Sequence, residues 1–178
     1  MSGRVQDEIL LIARPTASLR EALEAELHAH GLADALARWP SSNWHQSLSQ
    51  KHPITARFAA ASAMASLTAV SFEMVINRVV PQNDQWHLRM HGNPPAFAAL
   101  LSSLRSVLSR EGIDDPGAHR PHITLAYHAP RPLHGSVSIR PISWQVTEIE
   151  LVQAGGKPYR YTTLERWALA PPSQADLF

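Results

Sequence analysis

The sequence predicts a mixed fold of strands and helices built on a duplicated unit, and three observations carry this reading. Predicted strands alternate with amphipathic helices. Some neighbouring strands are joined by turns, as hairpins require. A short pattern also recurs, as His45-Gln46-Ser47-Leu48 and again as His122-Ile123-Thr124-Leu125. Each copy follows a strand, a proline-marked break and a helix, so the two halves run in the same order. A duplicated unit places equivalent positions across a pseudo-twofold axis, and the two copies are expected to face each other.

The elements follow in order. Residues 5–13 read as a buried strand centred on Ile9-Leu10-Leu11-Ile12 and ended by Arg14-Pro15. Ser18-Leu19-Arg20-Glu21 has the pattern of a capping box, in which side chains satisfy the free N–H groups of a helix start. Leu19, Leu23 and Leu27 then form one apolar stripe, and Gly31 is the stop. Pro40-Ser41-Ser42-Asn43 reads as a turn, and residues 44–49 as the strand of the first motif. The alanine-rich residues 54–69 favour helix. Residues 72–80 read as a strand with Phe72, Met74 and Ile76 on one face. Pro81-Gln82-Asn83-Asp84 is the turn, residues 85–91 form the returning strand, and Gly92-Asn93-Pro94-Pro95 breaks it.

Phe97, Leu100, Leu101, Leu104, Val107 and Leu108 share one face of a helix that Gly112 ends. The polar loop Asp114-Asp115-Pro116-Gly117 leads to the second motif. Residues 136–140, 144–153 and 161–169 read as strands, the last two joined by Gly155-Gly156-Lys157-Pro158. Residues 1–170 are expected to form one domain, and 171–178 a loose tail.

Composition narrows the function. With 178 residues, 44% hydrophobic and 17% charged, the chain can bury a real core. A net charge of +1 makes no case for nucleic-acid binding by bulk charge. The basic residues are mostly arginine, the lysines being Lys51 and Lys157. Without cysteine there is no disulfide, no thiolate zinc site and no cysteine nucleophile. No apolar run approaches the roughly 20 residues that span a membrane. Residues 1–8 lack the basic and apolar regions of a secretory signal, so a cytoplasmic protein without a membrane partner is expected. Oligomeric state leaves no mark in the sequence, and a monomer is the default.

The repeated motif suggests chemistry. Alternate residues of a strand share a face, so His45 points with Ser47, and His122 with Thr124. Facing one cleft, they supply two imidazoles and two hydroxyls. Opening a cyclic phosphodiester takes a proton from the nucleophile and gives one to the leaving oxygen. Histidine can do either near neutral pH. Ser47 and Thr124 would donate to the non-bridging oxygens, where charge accumulates. Neither a metal nor a covalent intermediate is needed.

Other histidines read differently. His28 and His30 suit a helix C-terminus. His87 and His91 lie on one predicted strand with no carboxylate neighbour and are left outside the site. His119 with His122 lacks a third ligand for zinc. His128 reads as a solvent-facing strand end, and Ser62 and Ser66 as helix spacers.

These motifs resemble those of the two-histidine phosphoesterases, in particular their 2′-5′ RNA ligase-like branch. The family is marked by paired His-x-Thr/Ser-x motifs. Arg120-Pro121-His122-Ile123-Thr124-Leu125-Ala126 looks especially like its second motif, and Tyr161-Thr162-Thr163-Leu164-Glu165-Arg166-Trp167 closes the chain in the expected place. The resemblance implies a bilobal α+β fold with two antiparallel sheets, flanking helices and a central cleft. It implies metal- and ATP-independent hydrolysis of RNA 2′,3′-cyclic phosphate ends to 2′-phosphate ends, with reversible 2′-5′ ligation in some members. RNA ends or small cyclic nucleotides are the implied substrates, with no cofactor. In these roles His45 protonates the 3′ leaving oxygen and His122 activates water. Two positions depart from the family. Ser47 replaces the commoner threonine but keeps the hydroxyl. Tyr127 stands where the family often has arginine, leaving His128, Arg131 or Arg160 as substitutes and Tyr127 to stack on a base. A non-catalytic module that binds RNA ends or nucleotides is the alternative on the same fold.

Overall fold

The computed structural model describes residues 7–116 and 119–172. Strand β1 (Glu8–Ala13) is buried along nearly its whole length, as an unbroken aliphatic run requires. Positions 5 and 6 of the expected strand, position 117 of the expected loop and positions 173–178 of the expected tail lie outside the described residues. Helix α1 (Ala17–Ala29) buries Leu19, Leu23 and Leu27. Its cap is Thr16, whose hydroxyl accepts from the Leu19 N–H at 3.2 Å, so the expected cap Ser18 lies inside the helix. After Pro15 the chain is extended at Thr16 (φ −62°, ψ 163°), which sets its hydroxyl over the first turn. Gly31 (φ 66°) ends the helix as expected. The Leu32 N–H turns back to the Leu27 carbonyl at 2.7 Å.

A tight helical turn, Ser41–Asn43, leads to β2 (Gln46–Ser47) and then β3 (His52–Pro53), both antiparallel to β1. Helix α2 (Arg57–Ala65) is shorter than expected. A separate turn, Ile54–Ala56, precedes it, and Ser66 closes it by returning both its N–H and its hydroxyl to the Ala63 carbonyl. Strands β4 (Phe72–Gln82) and β5 (Gln85–Met90) form a hairpin on Asn83-Asp84, with Asn83 at φ 53°. Pro81 and Gln82 therefore belong to the strand, opposite Trp86 and Gln85. Helix α3 (Pro95–Arg110) buries the six apolar residues expected of it.

Strand β6 (His122–Ala126) carries the second motif, and β7 (Val137–Val146), β8 (Glu148–Gly155) and β9 (Arg160–Ala168) complete the chain. The expected strand 144–153 is two strands. Residues up to 146 belong to β7 in one sheet and those from 148 to β8 in the other, with Thr147 alone between them. Pro141, which falls between the expected strands 136–140 and 144–153, sits inside β7 where its register against β4 slips. An edge strand tolerates the missing N–H there.

The two sheets have the orders β2-β1-β8-β9, with β3 also on β1, and β6-β5-β4-β7. All the pairings within them are antiparallel. Each motif strand thus borders the strand that precedes its helix: β1-α1-β2 in one half, β5-α3-β6 in the other. This is the duplicated α+β architecture the sequence predicts. One apolar cluster joins Ile9 and Leu11 of the first sheet, Met74, Ile76 and Leu88 of the second, and Leu23 and Leu104 of the helices. A smaller cluster of Leu10, Ile12, Val152, Ala154 and Tyr161 covers the first sheet's other face. Among the described residues no helix is long and apolar enough to cross a membrane.

Candidate active site

Each motif histidine is held in the same way. His45 enters β2 from the turn at Ser41–Asn43, and its Nδ1 lies 2.8 Å from the Asn43 carbonyl. His122 opens β6, and its Nδ1 lies 2.8 Å from the Arg120 carbonyl. In both cases the partner is the carbonyl two residues upstream. A carbonyl only accepts, so Nδ1–H donates and Nε2 keeps the lone pair of the neutral ring.

The residue between His45 and Ser47 ties the two motifs together. Gln46 is fully buried. Its Oε1 accepts from the His122 backbone N–H at 2.6 Å, and its Nε2 donates to the Ser47 carbonyl at 2.8 Å. The same Nε2 reaches the Arg120 carbonyl at 3.4 Å, the group that orients the His122 ring. The sequence pattern gives Gln46 no role of its own. The available signal was a polar residue at a position that the second copy fills with Ile123. The hydroxyl residues follow strand parity. Ser47 lies opposite Ile12, and Thr124 is buried opposite His87.

Burial governs the protonation of both imidazoles. It pushes His45 down to about 4, helped by the charges of Arg14, His122 and Lys51 and opposed by the Asn43 hydrogen bond. It also lowers His122, with Arg89 and His119 adding to the effect and the Arg120 carbonyl opposing it. His87, left outside the site by the sequence, stacks on His122 with ring centroids 4.5 Å apart. Its Nε2 donates to Gln85 at 2.8 Å, and its buried Nδ1 has no hydrogen-bond partner among the described residues. Burial first, then His122 and Arg89, hold His87 at about 4. This neutral ring backs His122, and only the register of β5 on β6 reveals it.

Tyr127 packs edge-on against Trp39 at 4.8 Å and joins Trp39, Lys51, Tyr159 and Tyr161 around a hollow of about 360 Å³. Tyr161 in turn meets the His45 ring edge-on at 4.4 Å, so an aromatic cup adjoins the first histidine. The cations suggested as substitutes for the missing arginine are placed elsewhere. His128 is exposed and bonded to Asp84 in the hairpin turn. Arg131 is bonded to Asp34 and the Gly31 carbonyl, with its guanidinium over Trp86. Arg160 is exposed on β9 opposite Gly155. A cation that does lie beside the second histidine is Arg89, its register partner on β5. Arg89 shares a hollow of about 270 Å³ with Gln82, His87, His119, Arg120 and His122. Among the described residues no group of three or more histidines and carboxylates is placed to hold a metal ion.

The sequence matches no family model and no curated protein. Solved structures do share its fold. E. coli LigT in its apo form superposes with a TM-score of 0.74 at 24% identity, covering 92% of this chain and 98% of that one. E. coli LigT complexed with 3′-AMP gives 0.73 at 23%, covering 93% and 99%. TT0787 of Thermus thermophilus gives 0.70 at 21%, covering 93% and 100%. The chain therefore has the LigT-like fold over nearly its whole length.

Proposed function

We propose that this protein is a cyclic phosphodiesterase, opening 2′,3′-cyclic phosphates at RNA or nucleotide ends to 2′-phosphates by paired-histidine acid–base catalysis. One observation carries the reading. Two imidazoles at the starts of edge strands β2 and β6, which Gln46 ties together, have Nδ1 clamped by matched carbonyls, leaving both Nε2 atoms for proton transfer. Water attacks phosphorus and the P–O3′ bond breaks. His122 takes the proton of the water and His45 gives one to O3′, the roles the family resemblance implies. Ser47, Thr124 and Arg89 stabilise the charge that builds on the non-bridging oxygens. Atoms and protons balance without a metal, a nucleotide cofactor or a covalent intermediate. With a 5′-hydroxyl in place of water, the same steps join two ends through a 2′-5′ linkage. The likeness to LigT, solved with ATP, 3′-AMP and NADP+, supports a nucleotide-sized ligand.

Tyr127 favours the second reading, a module that binds such ends without turnover. Arg89 weakens it, since it brings a cation to His122 from a neighbouring strand. Product analysis decides between them. An RNA ending in a 2′,3′-cyclic phosphate, incubated with the protein in EDTA, should yield a 2′-phosphate. His45→Ala and His122→Ala should each lower the rate by roughly 10²–10⁴-fold. Binding without turnover in the unaltered protein would establish the module. Undiminished turnover in both variants would remove the pair from the chemistry.

A further inference from the structure

A second hollow, of about 560 Å³, adjoins the one at His122 and is lined by Arg78, Arg89, Arg120, His119, Asn93 and Ser136 among others. Arg89, Arg120 and His119 border both, so the two are direct neighbours. Arg78 and Arg89 stand directly opposite each other across β4 and β5. Like charges in that relation destabilise a sheet. Their hydrogen-bond partners are neutral: Arg78 donates to the Asn77 side chain at 3.0 Å, and Arg89 to that of Gln82. None of the lining residues is acidic. Among the described residues, none of the three arginines appears in an ion pair with a carboxylate. Burial and the nearby charges of Arg120 and Arg78 all act against the Arg89 charge. Such a convergence is satisfied by an anion, and guanidinium forks match phosphate oxygens.

We propose that this hollow is a second phosphate subsite, which holds the phosphate on the 5′ side of the nucleotide whose cyclic phosphate reacts at His45 and His122. Its orientation rests on the reaction proposed above. The aromatic cup beside His45 takes the base, and the arginines lie on the His122 side. The 5′ phosphate comes either from the phosphodiester of an RNA chain or from a free nucleotide 5′-monophosphate. Both present the same anionic oxygens.

Calorimetric titration with 3′-AMP and with adenosine 3′,5′-bisphosphate tests the subsite without turnover. The bisphosphate should bind roughly tenfold tighter or more, with the advantage shrinking as salt rises. In Arg78→Gln, and separately in Arg120→Gln, that ratio should fall towards one. Equal affinities in the unaltered protein, or an advantage that survives in both variants, would overturn the proposal. Turnover is then compared for a nucleoside 2′,3′-cyclic phosphate, its 5′-phosphorylated form and a dinucleotide with the same cyclic end. A gain for the dinucleotide identifies RNA as the source of the second phosphate, and a gain for the 5′-monophosphate alone identifies a free nucleotide. A binding advantage without hydrolysis of any of the three would sink the proposed reaction and keep the subsite. Hydrolysis without any advantage would do the reverse.

Discussion

Burial sets the protonation of His45 before any substrate arrives, and this fixes how a His45–His122 reaction must depend on pH. Hydrolysis needs one proton on the pair. With His45 near 4 and His122 below its ordinary value, that form is lost as pH rises past the upper of the two and as pH falls past the lower. The kcat/KM profile reports the free protein and is expected to peak on the acid side of about 6.5, the unperturbed histidine value. An anionic phosphate between the rings raises both pKa values, so the kcat profile should sit at higher pH than the kcat/KM profile. Coincident profiles, or a kcat/KM optimum well above neutrality, would contradict this account. Gln46 makes a second prediction. Gln46→Leu removes the acceptor of the His122 N–H and the group that reaches the Arg120 carbonyl. Small errors in placing a reacting group can cost on the order of 10²-fold, so steady-state kinetics should show kcat falling by roughly 10–100-fold with less change in KM. An unchanged kcat would mean that Gln46 is only structural. The paired motifs of the candidate site stand out in the sequence because duplication marks them. Gln46, His87 and Arg89 do not, because what brings them beside His122 is which strand faces which.

At the scale of elements, periodicity was a reliable guide and boundaries were less so. Helix α3 buries the apolar set read from its spacing, because one stripe at helical period has one way to face a core. Helix α1 shows the limit. Ser18 and Glu21 fit the pattern of a capping box, yet Thr16 is the residue held in extended conformation at the helix start. A pattern of side-chain types cannot report φ and ψ. Thr16→Ala should therefore cost about 1 kcal/mol in urea denaturation, while Ser18→Ala should stay within about 0.5 kcal/mol. The opposite order would mean that the helix starts at Ser18 in solution. Pro141 misleads for a related reason. Proline reads as a strand break, but at an irregular register on the edge strand β7 it removes no needed bond.

At the scale of the molecule, the chain returns from the second sheet to the first across a single residue, Thr147, so one apparent strand hides the step from β7 to β8. Apolar residues continue through such a point, with Trp144 and Val146 buried at the end of β7 and most of β8 buried beyond it, and nothing local marks the change of partner. The consequence is an interleaved molecule in which the last two strands return to the sheet of the first. Its halves also share one apolar cluster. Polar ties add to this: Gln46 bonds to His122, and Asp115, in the loop before β6, accepts from the Gln50 N–H at 2.8 Å and pairs with His52 at 3.0 Å. Pulling the lobes apart would expose the common core and strand these buried polar groups, which is costlier than unfolding both together. The described residues up to 170 are accordingly expected to unfold as one unit. Far-UV circular dichroism should follow both sheets and the helices. Fluorescence should follow the five tryptophans, among them Trp44 and Trp86, which are buried beside the first and second motifs respectively. The two signals should give one coincident transition in urea. A ligand seated between His45 and His122 should shift that whole transition upward, by an amount that grows with its concentration. Two resolved transitions, or a shift confined to one signal, would show that the lobes are separate folding units and that their shared cluster does not couple them.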